Sequence, residues 1–361
     1  MEKTKKPLNA RTAAVDIISQ VFEEGAYTNL VLNKFLRNST LSILDRHLVT
    51  ELVYGTVKAK GTLDWYLAAC VNRPLAGVEG KILNTLRVAL YQILYMDRIP
   101  QSAAVNEAVK TARFFGNEGT AKFVNGVLRG FLRKQEANEF VFPDEEKDDA
   151  GYLALKFMHP RWLVKRWLGP HGKENVEKLL AFNNASAPVC LRVNILVTSR
   201  EKFLADLEEI KVKAHASSWS KDGIVIDEMP SLMTIFEKFP DSFYIQDESS
   251  MLVADFLNPQ KGECILDLCA APGGKTTHLA QRMENQGEIV ACDVHEHKLK
   301  LIQENTKRLG IKIIKTQLND GTIFQREWAN KFDRVLVDAP CSGMGVLRRR
   351  AEARWTKDKK D

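Results

Sequence analysis

The sequence has no apolar run close to the roughly 20 residues that a membrane-crossing helix needs, so a membrane-spanning protein is excluded. Its start, MEKTKKPLNA, is charged but is not followed by an apolar segment, and we expect no signal peptide. Only six cysteines occur in 361 residues, without regular spacing. That usage does not predict a disulfide framework and favours a reducing cytoplasm. At 45% apolar and 27% charged residues, wholesale disorder is excluded, and two or three domains are expected.

The formal net charge of +6 is unevenly distributed along the chain. Residues 1–140 carry 19 basic and 13 acidic side chains, and the last 14 residues carry 7 and 3. The stretch between them is mildly acidic. Two basic ends are compatible with a polyanionic partner, although solvated helix faces would give the same pattern.

Hydrophobic periodicity predicts three successive kinds of structure. Residues 9–135 have helical spacing throughout, as in KILNTLRVALYQILYM. An acidic, proline-containing stretch at 136–150 is a plausible linker. Two helices are then predicted, over 152–168 and 173–183, followed by a strand–helix–strand unit at 189–196, 201–210 and 222–228. We therefore predict domains at 1–140 (all-α), 141–240 (linker helices and a small α+β subdomain) and 241–361.

The last domain has the alternation of an α/β fold. Apolar strands are predicted at 264–270, 288–294, 311–318 and 334–340, with helices around 273–284 and 296–309. Alternation of this kind predicts a parallel sheet covered by helices on both faces. Ligands of such sheets bind at the carboxyl ends of the strands.

The first of these strands leads into DLCAAPGGKTTHLA. Gly273 and Gly274 open a tight strand-to-helix turn whose backbone N–H groups can face an anionic ligand. The spacing fits neither the G-x-G-x-x-G dinucleotide pattern nor the P-loop. Asp293 ends the second strand, where a carboxylate can accept both ribose hydroxyls, and Asp320 follows the third, where it could reach an adenine amine. Together these features favour a nucleoside-bearing cofactor.

The fourth strand ends in VLVDAPCSGMG. Asp338 and Cys341 are expected at the same crevice as the glycine turn. A carboxylate and a thiol beside a nucleoside cofactor suggest chemistry on an electron-poor ring, with Lys275 as a cation that could lower the thiol pKa. The alternative for Cys341 is a small buried hydrophobic residue. We predict that Cys70, Cys190, Cys264 and Cys292 are structural, and find no spacing typical of a metal site.

These motifs resemble a known family. DLCAAPGGKTTHLA, ACDVHEHKL, NDG and DAPCSGMGVLRRR resemble the RNA (cytosine-5-)-methyltransferases of the NOL1/NOP2/Sun family. The segments DRHLVTELVYGTVKAKGTLDWYL and FVNGVLRGFLR resemble a NusB-like helical domain. The combination is similar to bacterial methyltransferases of 16S ribosomal RNA.

The resemblance implies a NusB-like RNA-binding domain, an α+β subdomain and a Rossmann-like, S-adenosylmethionine-dependent catalytic domain. It implies that Cys269, Ala270, Ala271, Pro272, Gly273, Gly274 and Lys275 form the cofactor loop, with Asp293 on the ribose and Asp320 on the adenine side. Asp338 would contact the target cytosine beside the cofactor. Cys341 would help to release the product. Arg348, Arg349, Arg350 and Arg354 are expected to contact phosphates of 16S ribosomal RNA. A cytoplasmic monomer is expected.

The attacking cysteine of this family comes from a Thr-Cys motif on a later strand, and the sequence contains no Thr-Cys dipeptide. We therefore expect a catalytic domain that is incomplete at its C-terminus. Three hypotheses remain open: the methyltransferase, a non-catalytic RNA-binding module, and a dinucleotide-dependent oxidoreductase. The last fits the α/β pattern and Asp293, but not the PGG turn.

Overall fold

The computed structural model describes residues 9–229 and 231–360. The chain forms two compact units. One, which we call the helical unit, contains the residues up to Ser186 together with the segment that starts at Ser342. The other, the two-sheet unit, runs from Ala187 to Cys341. The predicted domain boundaries near residues 140 and 240 remain predictions.

The helical unit begins with six helices around one apolar core, which confirms the helical prediction for residues 9–135. The helices are α1 (Ala10–Glu23), α2 (Thr28–Asn38), α3 (Ile43–Ala68), α4 (Gly80–Tyr95), α5 (Gln101–Phe115) and α6 (Glu118–Glu136). Their apolar stripes meet at fully buried side chains such as Leu52, Leu86 and Phe131. Side-chain caps fix several starts: Asn117 and Thr120 form a capping box at α6.

Three further helices complete this part of the unit, where two were predicted. They are α7 (Asp149–Lys156), α8 (Arg161–His171) and α9 (Lys173–Asn184). The predicted helix over 152–168 is wrong as a single element because the chain turns at Met158, which has a left-handed backbone (φ 57°). Pro160 then caps α8, a position where its missing N–H costs nothing.

The two-sheet unit opens with an antiparallel sheet of four strands in the order β2-β3-β1-β4. Its elements are β1 (Val189–Val193), α10 (Arg200–Glu209), β2 (Lys213–Ala216), β3 (Gly223–Glu228), α11 (Leu232–Lys238) and β4 (Phe243–Ile245). The predicted α+β subdomain is confirmed. Sequence periodicity missed β2 and β4 because β4 has three residues and β2, with the sequence KAHA, is almost wholly solvent-facing.

A parallel sheet in the order β7-β6-β5-β8 follows, as predicted. Its elements are α12 (Glu248–Leu257), β5 (Cys264–Asp267), α13 (Gly274–Arg282), β6 (Glu288–Asp293), α14 (Glu296–Arg308), β7 (Ile314–Leu318) and β8 (Arg334–Leu336). Since all pairings are parallel, the loops after the four strands lie along one edge. We call this the carboxyl edge. A short helix, α15 (Ala353–Thr356), belongs to the helical unit. None of the helices in the described ranges is both long and apolar enough to cross a bilayer.

Candidate active site

The glycine turn joins β5 to α13 at the carboxyl edge. Gly273 caps the helix with a left-handed backbone (φ 97°), a conformation that side chains disfavour. A Cβ added at Gly274 would lie 3.0 Å from Cε1 of Tyr244, so this ring packs directly against the turn. The Ala271–Pro272 peptide bond is cis. Glycine therefore permits both the backbone conformation and the close approach of the aromatic wall.

A cavity of about 300 Å³ opens on one side of this turn. We call it the lysine cavity, because Lys275 forms an ion pair with Asp338 at its wall. Its lining comprises Tyr244, Ile245, Gln246, Asp247, Ser250, Asp267, Cys269, Ala270, Ala271, Pro272, Gly274, Lys275 and Asp338. The structure thus brings most of the predicted cofactor loop together with Asp338. Lys275 pairs with this carboxylate, whereas the sequence suggested it as the cation beside Cys341.

A second cavity, of about 390 Å³, holds the other two predicted carboxylates. We call it the carboxylate cavity, after Asp293 and Asp320 in its lining. An Asp293 carboxylate oxygen accepts a hydrogen bond from the backbone N–H of His295 at 3.0 Å. Asp320 accepts two from Thr322, at 2.9 and 2.7 Å, which hold the pKa of its carboxyl below the usual value. Cys269 lines both cavities, so they adjoin along the carboxyl edge.

Two buried polar residues at this edge were not predicted as site residues. Asp267, the last residue of β5, is 1% exposed, and burial raises the pKa of its carboxyl to about 6. Hydrogen bonds from Thr276 (2.7 Å) and from the Cys269 N–H partly offset that rise. Asn319 lines the carboxylate cavity with a buried side-chain Nδ2 that has no hydrogen-bond partner among the described residues. A buried donor without a partner is costly, and a ligand acceptor would satisfy it.

The signal for both residues was present in the sequence. Each stands at or directly after the end of a parallel strand, the position that led to Asp293 and Asp320. Tyr244, Gln246 and Ser250 had no comparable signal, because they reach the lysine cavity from β4 and its continuation into α12.

The cysteines differ in exposure. Cys341 is exposed, in the loop after β8, and Pro340 directly before it lines the carboxylate cavity. Cys190 and Cys292 are buried in strands, while Cys70 and Cys264 are half-buried. Burial raises the pKa of the Cys269 thiol, and the nearby carboxylates act in the same direction. No cluster of metal-ligating side chains occurs within residues 9–229 and 231–360.

The arginines predicted to contact RNA lie in the helical unit. The guanidinium carbon of Arg348 lies 4.5 Å from the Phe182 ring centre, and that of Arg350 lies 4.9 Å from the Tyr27 ring centre. Arg354 is fully buried, so the prediction that it contacts phosphate is wrong for this conformation. Its guanidinium donates to the carbonyl oxygens of Met158 and Asn183 and to the side chain of Asn184, at 2.7–3.0 Å. Arg354 therefore anchors the C-terminal segment.

Comparisons with known proteins address each part of the chain. A family model described as 16S rRNA methyltransferase RsmB/F matches residues 254–361, and a NusB family model matches residues 8–133. A model of the ferredoxin-like domain of RsmF/B-like methyltransferases matches residues 159–232. The "Probable ribosomal RNA small subunit methyltransferase B" of Bacillus subtilis is 38% identical over 360 residues, covering 99% of this chain and 78% of the relative.

The chain belongs to the ribosomal RNA small subunit methyltransferase B family. An Escherichia coli member is 36% identical and is matched over 80% of its length. The crystal structure of a protein designated PH0851 superimposes with a TM-score of 0.78 at 25% identity, covering 99% of this chain and 80% of that one. The predicted fold class, a NusB-like domain, an α+β subdomain and a methyltransferase domain, is confirmed. The α+β subdomain is the ferredoxin-like sheet of this family.

Proposed function

We propose that the chain belongs to an S-adenosylmethionine-dependent enzyme that forms 5-methylcytosine in 16S ribosomal RNA. The observation that carries the proposal is the arrangement at the carboxyl edge. The glycine turn, Asp293, Asp320 and Asp338 line two adjoining cavities there, in a chain of the methyltransferase B family. The family match supports a ribosomal RNA substrate, whereas the cytosine target follows from the sequence motifs.

The residues present fit this cofactor. Asp293 would accept hydrogen bonds from the ribose hydroxyls. Asp320 would hold the adenine side together with the Asn319 Nδ2, the atom without a partner among the described residues. The loop from Cys269 to Lys275 would present backbone N–H groups to the carboxylate of the methionine part. When bound, S-adenosylmethionine supplies an electrophilic methyl group on a sulfonium centre.

The protein must make cytosine C5 nucleophilic, because this carbon is unreactive in the intact ring. A thiolate that adds to C6 would turn C5 into an enamine-like carbon able to attack the methyl group, with S-adenosylhomocysteine as the leaving group. A base then removes the C5 proton, and the thiolate leaves as the ring double bond reforms. Asp338 would hydrogen-bond the N3/N4 edge of the base and favour the adduct. Cys341 would serve the elimination.

The absence of a Thr-Cys dipeptide leaves two possible functions for this chain, which are a module that binds cofactor and RNA and an active methyltransferase. If the attacking thiol comes from a Thr-Cys motif, which this chain does not contain, the chain binds cofactor and RNA without transferring a methyl group. If Cys341 attacks, the chain is active by itself. Incubation with tritiated S-adenosylmethionine and bacterial 16S RNA decides between them. Tritium in the RNA that disappears in Cys341→Ala, with no trapped protein–RNA adduct, identifies Cys341 as the nucleophile, whereas a trapped adduct identifies a role in release. We expect no transfer.

We propose that the NusB-like domain and the arginine run 348–350 contact the RNA. We also propose that the protein acts as a monomer in the cytoplasm. Phosphate contacts release counterions, so affinity for 16S RNA should fall steeply with salt. The double variant Arg349→Ala/Arg350→Ala should reduce the logarithmic salt slope by about 2. A slope that stays unchanged would remove these two residues from the RNA-binding surface.

A further inference from the structure

The inner face of α13 is polar, although it is buried against the antiparallel sheet. Thr277, His278 and Gln281 on this face are each at most 1% exposed. They bond to Arg192, Asp222 and Asn194 respectively, at 2.8–2.9 Å. Because hydrogen bonds are directional, this interface fixes the rotation of α13 about its axis and its position along that axis more strictly than apolar packing would.

Arg192 is the member of this interface closest to the glycine turn. It lies on β1 and is fully buried. Burial lowers the pKa of its guanidinium to about 9, so the side chain keeps its charge near neutral pH. One guanidinium nitrogen donates to the carbonyl oxygen of Gly274 and to the side chain of Gln246, and the other donates to Thr277 at 2.9 Å. Such a buried charge is expensive, which indicates a role beyond packing.

Two of the three hydrogen-bond partners of Arg192 line the lysine cavity. Gln246 and Gly274 are both in its wall, and so is Tyr244, whose ring centre lies 5.1 Å from the guanidinium carbon. Gln246 is held from its other end as well, because its amide donates to the Ser250 carbonyl at 3.1 Å. A single side chain of the ferredoxin-like sheet therefore holds three parts of the cavity wall together.

We propose that Arg192 is a positioning residue for the cofactor: it locks the first turn of α13 to Gln246 and Tyr244 and so sets the geometry of the glycine turn. The inference rests on the proposed function, because the glycine turn is taken as the cofactor loop. The ferredoxin-like sheet then contributes to cofactor affinity without contacting the cofactor itself.

The test compares Arg192→Lys with Gln281→Leu in the full chain. Lysine keeps the charge but cannot donate to three acceptors in fork geometry. Gln281→Leu removes a hydrogen bond of the same interface, Gln281 to Asn194, seven residues along α13 and hence about 10 Å from the turn. Calorimetric titration with S-adenosylhomocysteine should give a Kd at least about tenfold weaker for Arg192→Lys, and within about twofold of wild type for Gln281→Leu.

Hydrogen exchange of the ligand-free protein gives a readout that needs no cofactor binding. Amides of residues 273–277 should exchange faster in Arg192→Lys than in wild type, and at the wild-type rate in Gln281→Leu. Wild-type affinity and wild-type exchange in a folded Arg192→Lys would overturn the inference. A wild-type chain that binds no S-adenosylhomocysteine would contradict the proposed function, while the exchange data would still decide whether Arg192 orders the turn.

Thr277→Val is the milder variant should Arg192→Lys not fold. It removes one acceptor of the guanidinium together with the hydroxyl's own hydrogen bonds to the carbonyl oxygens of Gly273 (2.7 Å) and Gly274 (3.1 Å), and it leaves the charge and the Gln246 contact in place. A severalfold weaker Kd with faster exchange at the turn supports positioning of the turn by the Arg192–Thr277 pair. Equal loss of affinity in Thr277→Val and Gln281→Leu would show a general effect of the interface and contradict it.

Discussion

At the scale of single residues, the site consists of groups whose environments differ although their chemistry is alike. Asp267 is buried and its pKa is raised, whereas Asp320 is exposed and its pKa is lowered by hydrogen bonds from Thr322. Asp338 shares an ion pair with Lys275. The sequence identified the last two carboxylates and missed the first, because burial and hydrogen bonding follow from packing that no motif encodes.

Asp267 should make stability depend on pH. Its folded pKa of about 6 lies above its ordinary value of 3.8, so folding favours the protonated carboxyl. Its stabilising contribution is complete below about pH 4 and is lost as the pH rises through 6, by about 3 kcal/mol in total. Urea unfolding from pH 4 to 7 should therefore show wild type losing stability relative to Asp267→Asn. A difference between the two that is constant with pH would refute this account.

Gly273 should be required for both stability and binding. Alanine at a left-handed position costs about 1–2 kcal/mol, and Gly262 (φ 85°), which has open space around it, provides a matched control. Both Gly273→Ala and Gly262→Ala should lose stability in thermal unfolding. Only Gly273→Ala should weaken S-adenosylhomocysteine binding. Equal affinities in the two variants would argue against the turn as the cofactor loop.

At the scale of elements, sequence periodicity predicted the segments that have a regular apolar spacing. The helices of the N-terminal part and the four parallel strands follow from apolar spacing and were predicted correctly. The short strands β2 and β4 and the break at Met158 were not, because each depends on tertiary pairing or on one backbone conformation. The C-terminal arginines show the same limit of sequence-based prediction. Arg350 and Arg354 are four positions apart, yet Arg350 is exposed and Arg354 is buried.

Arg354 should stabilise the helical unit. Its removal leaves the carbonyl groups of Met158 and Asn183 without this donor, at a cost of about 2 kcal/mol or more. Arg354→Ala should thus lower the free energy of unfolding. Arg350→Ala, which loses an exposed cation–π contact with Tyr27, should lower it by no more than about 1 kcal/mol. Denaturant titration of both variants measures the difference. Equal stability would mean that the anchor contributes nothing.

Strand β8 should promote association. It pairs with β5 alone within the described sheet, and Val335 on it is 48% exposed. An exposed apolar edge strand is a site for edge-to-edge pairing. Val335→Lys should therefore remain monomeric at higher protein concentration than wild type in light scattering. If both aggregate at the same concentration, association involves another surface.

At the scale of the whole molecule, three family models match successive parts of the chain, and a member of the methyltransferase B family aligns with 99% of it. The specific motifs of the catalytic domain made that assignment possible from sequence. The roles of Arg192 and Arg354 were not predictable, since both connect segments far apart in sequence, from β1 to α13 and from the C-terminal segment to α9. The sequence motifs were therefore sufficient to assign the family, whereas the residues that hold the site in place became visible only in the folded structure.

We propose that the carboxyl edge binds S-adenosylmethionine through Asp293. Isothermal titration of the chain with S-adenosylhomocysteine, with NAD as the competing ligand class, tests it most directly. We predict one-to-one binding of S-adenosylhomocysteine, at least about tenfold weaker in Asp293→Ala, and no binding of NAD. Binding of NAD, or an affinity for S-adenosylhomocysteine that Asp293→Ala leaves unchanged, would contradict this binding mode.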